Sequence, residues 1–179
     1  MNKIYNTKKL VFSATAIALS LVCSLIKFAN LPMGGSITLF SMLFVTLIGY
    51  WYGTYTGLIT SVAYGILQFV IEPVFYTPLQ IALDYVFAFG SLGLSGLFCN
   101  KKHGLTLGYT FGVLFRYLFS VISGFVFFGE YAPEGTPAII YSLTYNATYI
   151  VPEAIITIIL ISLPPVKSAL NQIKNYALA

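Results

Sequence analysis

From Pro78 to Phe98 the chain reads PLQIALDYVFAFGSLGLSGLF, a stretch long and apolar enough to cross a bilayer as a helix but carrying one bare carboxylate, Asp84. A crossing takes ~20 mostly apolar residues. An ionised side chain inside such a helix costs ~2.5–3.5 kcal/mol or more unless it faces a cavity or a partner, so it usually marks function. Helical stepping from Asp84 gives Gln80, Phe87/Ala88, Ser91 and Ser95, a stripe of polar or small residues. The alternative for Asp84 is a neutral acid, or one hydrogen-bonded to another helix for packing alone.

The rest of the chain has the same character. Hydrophobic residues make up 58% and charged residues 8% of it, against roughly 25% charge in soluble domains. That composition excludes an ordinary soluble domain and points to an all-α integral membrane protein of one domain. Further spans are expected at about 10–29, 37–51, 55–71, 105–128 and 138–163, which with 78–98 makes six transmembrane helices. Residues 166–179 form a tail at the surface. Asn30–Ser36 (NLPMGGS) and Gly129–Thr136 (GEYAPEGT) read as loops. A cleaved leader is the rival for the first span, because Ala14, Ala16 and Ala18 are small. The apolar run continues to Phe28, broken only by Lys27, which favours a retained helix. Cys23 and Cys99 lie in different apolar segments and read as buried thiols.

Lys3, Lys8, Lys9, Lys101, Lys102, Lys167 and Lys174 all fall on the side of the termini. The positive-inside rule makes that side cytoplasmic, with both termini on it. These lysines are topology signals; no basic patch interleaved with aromatics suggests nucleic acid. Glu72, Glu130 and Glu134 fall on the opposite face, where acidic loops would concentrate cations.

Three ionisable residues lie within the spans: Asp84, Arg116 and Glu153. At ~1.5 Å of rise per residue, Arg116 and Glu153 both fall near mid-bilayer, where an ion pair would relieve two costly charges. Asp84 lies higher, toward the outer surface. On the sixth segment Ser142, Tyr145, Asn146, Tyr149 and Glu153 follow helical spacing and form one polar face, with Tyr141 beside it. Ser120, Ser123 and Gly124 on the fifth segment reach the depth of Asp84, and Phe127 and Phe128 lie above. One carboxylate, several hydroxyls, an amide and many rings suit a flat organic cation, neutralised by the acid and attracted by the ring faces. Metalloprotease, nucleophile-elbow, CxxC and P-loop motifs are all missing. The chain therefore reads as no enzyme, with no cofactor or metal ligand set, and any ATP-driven step would belong to other subunits.

At three places the residues match a family. Leu83-Asp84-Tyr85-x-x-Ala88-Phe89-x-x-Leu92-Gly93-Leu94-x-Gly96-Leu97-Phe98 resembles the fourth helix of the thiamine-specific substrate-binding (S) components of energy-coupling factor (ECF) transporters. Phe128-Gly129-Glu130-Tyr131-Ala132-Pro133-Glu134-Gly135 is similar to the outer loop of that family. Tyr141-Ser142-Leu143-Thr144-Tyr145-Asn146, with Tyr149 and Pro152-Glu153-Ala154, resembles its sixth helix. The likeness runs from the first helix to Pro165.

The resemblance implies a six-helix S-component bundle in the cell membrane that captures thiamine from outside. It would deliver the vitamin through a shared energy-coupling transmembrane subunit carrying two ABC-type ATPases. It implies ligand contacts at Asp84, Tyr85, Arg116, Gly124, Tyr141 and Asn146, to which the polar and aromatic pattern adds Ser120, Phe128 and Tyr145. It also implies docking on the coupling subunit through Ala14 and Ala18. Ser120 stands where members commonly have histidine, Phe128 where some have tryptophan, and Gly35 where at least one has tryptophan. These departures leave open a different heteroaromatic vitamin or precursor as ligand. A stand-alone ion-coupled carrier, with Arg116 and Glu153 as its relay, is the alternative from another class.

Overall fold

The computed structural model describes residues 3–31 and 35–179, with side chains from Thr7 onward. Pro32, Met33 and Gly34 of the expected first loop lie outside what it describes, as does the side chain of Lys3 in the basic cluster. Helix α1 spans Lys3–Leu25, starting earlier and ending sooner than the apolar run suggested. Lys27–Asn30 (β1) instead pairs antiparallel with Ser36–Thr38 (β2), so a small hairpin joins an otherwise helical fold. The apolar residues Phe28 and Ala29 extended the helical pattern in the sequence. The hairpin forms because paired strands give this backbone partners that an unwound helix end lacks.

Helix α2, Leu43–Tyr52, is consequently only ten residues long. Gly53 turns the chain into α3, Thr54–Ile71. Helix α4, Pro78–Phe98, opens on Thr77, whose hydroxyl accepts from Gln80 N at 3.1 Å, with Pro78 in the first turn. The pitch of α4 is not uniform. Ala82–Phe87 is a π-helical turn and Ser91–Phe98 is 3₁₀. Helix α5 covers Gly104–Phe127, α6 covers Ala138–Ser162 with Pro152 inside it, and α7 covers Pro164–Leu178.

Five of these helices are long and apolar enough to cross a membrane, and α2 is a shorter apolar one. Large apolar side chains such as Leu10, Val70, Leu79 and Ile159 point outward and make a lipid-compatible surface. The interior is held by backbone approach and hydrogen bonds as much as by apolar packing. A Cβ on Gly93 would meet the Gly57 carbonyl carbon at 2.3 Å, so α3 and α4 touch backbone to backbone. Ser91 donates to Gly112 O at 3.0 Å and Ser95 to Thr46 O at 2.8 Å. The lower half of the Asp84 stripe therefore binds neighbouring helices. The two ends of the chain meet: Lys8 Nζ lies 3.5 Å from Tyr176 O and 4.8 Å from the centre of that ring.

Candidate ligand-binding site

The hairpin, the end of α1, and the parts of α3 to α6 nearest the hairpin enclose a cavity of about 390 Å³. All nine residues expected at the site line it: Asp84 and Tyr85 from α4, Arg116, Ser120 and Gly124 from α5, Phe128 just beyond, and Tyr141, Tyr145 and Asn146 from α6. Gly35 lines it too. Ser123, expected among them, is buried against Asp84 outside the lining.

Each polar group is positioned by an identifiable contact. Gln80, fully buried, donates from Nε2 to Asp84 Oδ2 at 2.6 Å and accepts from Tyr76 N at 3.1 Å, so its amide orientation is fixed from both ends. Tyr85 O–H donates to Glu72 O and accepts from Val74 N, each at 2.9 Å, tying α4 to the loop that follows α3. Asn146 donates to Ser142 O at 2.9 Å and accepts from the Tyr149 hydroxyl at 2.6 Å. Tyr145 OH accepts from Gly35 N at 3.0 Å, bringing the hairpin onto α6. Gly124 allows α5 and α6 to close over this region, because a Cβ there would stand 2.3 Å from Ser142 Oγ. The rings of Tyr141, Tyr145 and Tyr149 follow one another at 5.9 Å intervals, an aromatic wall built from i, i+4 spacing.

Arg116 and Glu153 do not form the expected ion pair. Among the described residues the salt bridge present joins Lys27 and Glu72. Glu153 turns instead to the start of α2, accepting from Thr38 Oγ1 at 2.7 Å, Ser41 Oγ at 2.9 Å and Met42 N at 3.3 Å. A helix start offers free N–H donors and partial positive charge, which satisfies a carboxylate without a cation. Arg116 lies over the Phe89 ring, its Cζ 4.2 Å from the centroid, and Nη1 is buried with no hydrogen-bond partner among the described residues. Among the described residues, Asp84 likewise has no cation within salt-bridge range. The cavity thus presents a carboxylate and a guanidinium that, among the described residues, make no salt bridge.

Lys27, Gln68, Glu72, Tyr64, Phe89, Thr38 and Ser41 also line the cavity and were not expected at the site. Lys27 and Glu72 carried a usable signal. They are opposite charges at the same expected depth, one interrupting the first apolar run and the other ending the third. Outside the spans, Tyr76 donates to Glu130 Oε1 at 3.0 Å, and that bond holds its phenol above the ordinary range.

Residues 10–172 match the family described as thiamine transporter protein (Thia_YuaJ). The chain belongs to this family. Within it, the chain is 39% identical over 167 residues to the thiamine transporter ThiT of Bacillus subtilis, covering 86% of this chain and 85% of the relative. It is 31% identical over 115 residues to ThiT of Lacticaseibacillus paracasei, covering 55% and 57% respectively. Its fold is similar to that of the solved ThiT from Listeria monocytogenes, with a TM-score of 0.66 at 22% identity, over 90% of this chain and 95% of that one. Family membership and the apolar helices make this a multi-pass membrane protein. Ala14 and Ala18 are exposed on one face of α1, while Ala16 between them is buried.

Proposed function

We propose that this chain is the substrate-capture subunit of an ECF-type importer and holds thiamine in the cavity beneath the hairpin. The observation that carries the reading is Asp84, a carboxylate that makes no salt bridge among the described residues, in a cavity walled by tyrosine and phenylalanine rings. Thiamine brings a permanent cationic ring, an aminopyrimidine and a hydroxyethyl arm. In this reading Asp84 neutralises the cation, the rings add cation–π attraction of ~0.5–2 kcal/mol each, and Arg116 donates to an oxygen of the ligand. Asn146, Ser120, Gly124, Tyr85, Phe128, Tyr141 and Tyr145 shape the remaining contacts. Both termini face the cytoplasm, and Ala14 and Ala18 meet the energy-coupling transmembrane subunit, whose two ABC-type ATPases power release. The ion-coupled relay loses its support, because Glu153 is bound to Thr38, Ser41 and Met42 rather than to Arg116.

Calorimetric titration of the purified chain with thiamine tests this. Saturable one-to-one binding without ATP is expected; absence of binding, with the protein folded, would refute it.

A further inference from the structure

We propose that Glu153 is a positioning residue for the ligand site, although it does not line the cavity. It rests on the thiamine reading only for the choice of ligand probe.

Glu153 is 4% exposed and stands on α6 below Tyr145 and Tyr149, on the same face. Its three donors come from the junction between β2 and α2, more than 100 residues earlier in the chain. Two of those donors, Thr38 and Ser41, line the cavity. Between them Phe40 adopts φ 58°, the left-handed region that a bulky side chain rarely occupies. Such a conformation persists only where its surroundings over-determine it. Leu43 N closes the turn on Phe40 O at 3.0 Å, and Glu153 grips it from both sides through Thr38 and the Ser41–Met42 pair.

A buried carboxylate without a cation is a costly way to fill space. Here each acceptor oxygen has donors, and all of them belong to the strained turn. The hairpin's return strand is thus tied to α6 twice, at Gly35 by the Tyr145 hydroxyl and at its root by Glu153. Without the lower tie, the wall carrying Ser36, Thr38 and Ser41 is held to α6 only through the Gly35–Tyr145 bond at its other end.

The test uses the full chain in nanodiscs. Amide hydrogen exchange over residues 35–43 is read without ligand, and thiamine affinity is read by calorimetry. Glu153→Ala is expected to speed exchange over 35–43 at least tenfold, to leave α5 unchanged, and to weaken thiamine binding at least tenfold. Glu153→Gln should restore both to within about threefold, because its carbonyl accepts from Ser41 and Met42 N while its amide donates to Thr38 Oγ1. Ile161→Ala is the control for general destabilisation, since Ile161 is buried lower on α6. It should lower Tm without changing exchange over 35–43. Should Glu153→Ala not fold, the double variant Thr38→Val/Ser41→Ala, read by exchange alone, should loosen the same residues.

Parental exchange over 35–43 in Glu153→Ala or in the double variant overturns the proposal. Equal loosening in Ile161→Ala also overturns it. If the parent itself does not bind thiamine, the function assigned above fails, while the ligand-free exchange comparison still decides the role of Glu153.

Discussion

Replacing Asp84 with asparagine removes one charge and changes almost no volume, so it isolates the electrostatic part of ligand capture. The carboxylate lines the cavity, receives a hydrogen bond from Gln80 and has no salt-bridge partner among the described residues. At ~4 Å and an effective dielectric constant of ~20, a cation and a carboxylate attract by ~4 kcal/mol. Asparagine keeps a carbonyl dipole that recovers part of this. Asp84 is already mostly buried in the free protein, so it loses only its remaining hydration on binding. A net loss of about 3 kcal/mol follows, roughly a hundredfold in Kd. Because a mostly buried charge that makes no salt bridge among the described residues is removed, Tm should hold or rise. Binding heat is the appropriate readout: the single tryptophan, Trp51, is packed against Phe12 and does not line the cavity. The uncharged pyrimidine half of thiamine should bind parent and variant alike. An Asp84→Asn Kd for thiamine within threefold of the parent's would refute the electrostatic account.

Arg116→Met keeps the stacking volume on Phe89 but removes the donors; it should weaken thiamine by tenfold or less while leaving the pyrimidine half unaffected, by the same calorimetry. Gly124→Ala places a Cβ against Ser142 Oγ; thermal unfolding should show a loss of about 1–3 kcal/mol, with thiamine binding reduced. Lys27→Ala and Glu72→Ala break a partly exposed ion pair, so a double-mutant cycle on unfolding should give a coupling below ~1 kcal/mol that shrinks with added salt. Glu130→Gln removes the charged acceptor of the Tyr76 phenol; NMR titration of ring-labelled tyrosine, assigned with Tyr76→Phe, should show Tyr76 ionising at lower pH than in the parent.

Much of the cavity could be read from spacing alone because its walls are helices seen from one side. Tyr141, Tyr145, Asn146 and Tyr149 share a face by periodicity, and Asp84, Ser120 and Gly124 reach a common depth by counting residues. Depth carries no information about direction around a helix axis, which is why Arg116 and Glu153 seemed natural partners. What decides for Glu153 is the start of α2, and its position depends on a hairpin that local sequence did not reveal. Phe28 and Ala29 continue an apolar helical pattern, while β2, the strand that pairs with β1, lies further along the chain; pairing between separated segments leaves little periodic trace. Lys27 and Glu72 went unmatched for the same reason. Ser91 and Ser95 show the reverse case. Their stripe was correctly traced, but the 3₁₀ winding of that part of α4 commits their hydroxyls to carbonyls of α5 and α2.

The change of pitch along α4 divides one rod into two differently wound parts. Below, glycines lock it to α3 and leave no tolerance for rotation. Above, the wide turn at Ala82–Phe87 sets the azimuth of Asp84 and Tyr85, with only Gly65 of α3 small enough to let Tyr85 O come so close. Inserting or deleting a residue in that turn would swing the acid to a new bearing while the seam beneath stays in register, so a bundle of this kind can be retuned for a different guest without being rebuilt.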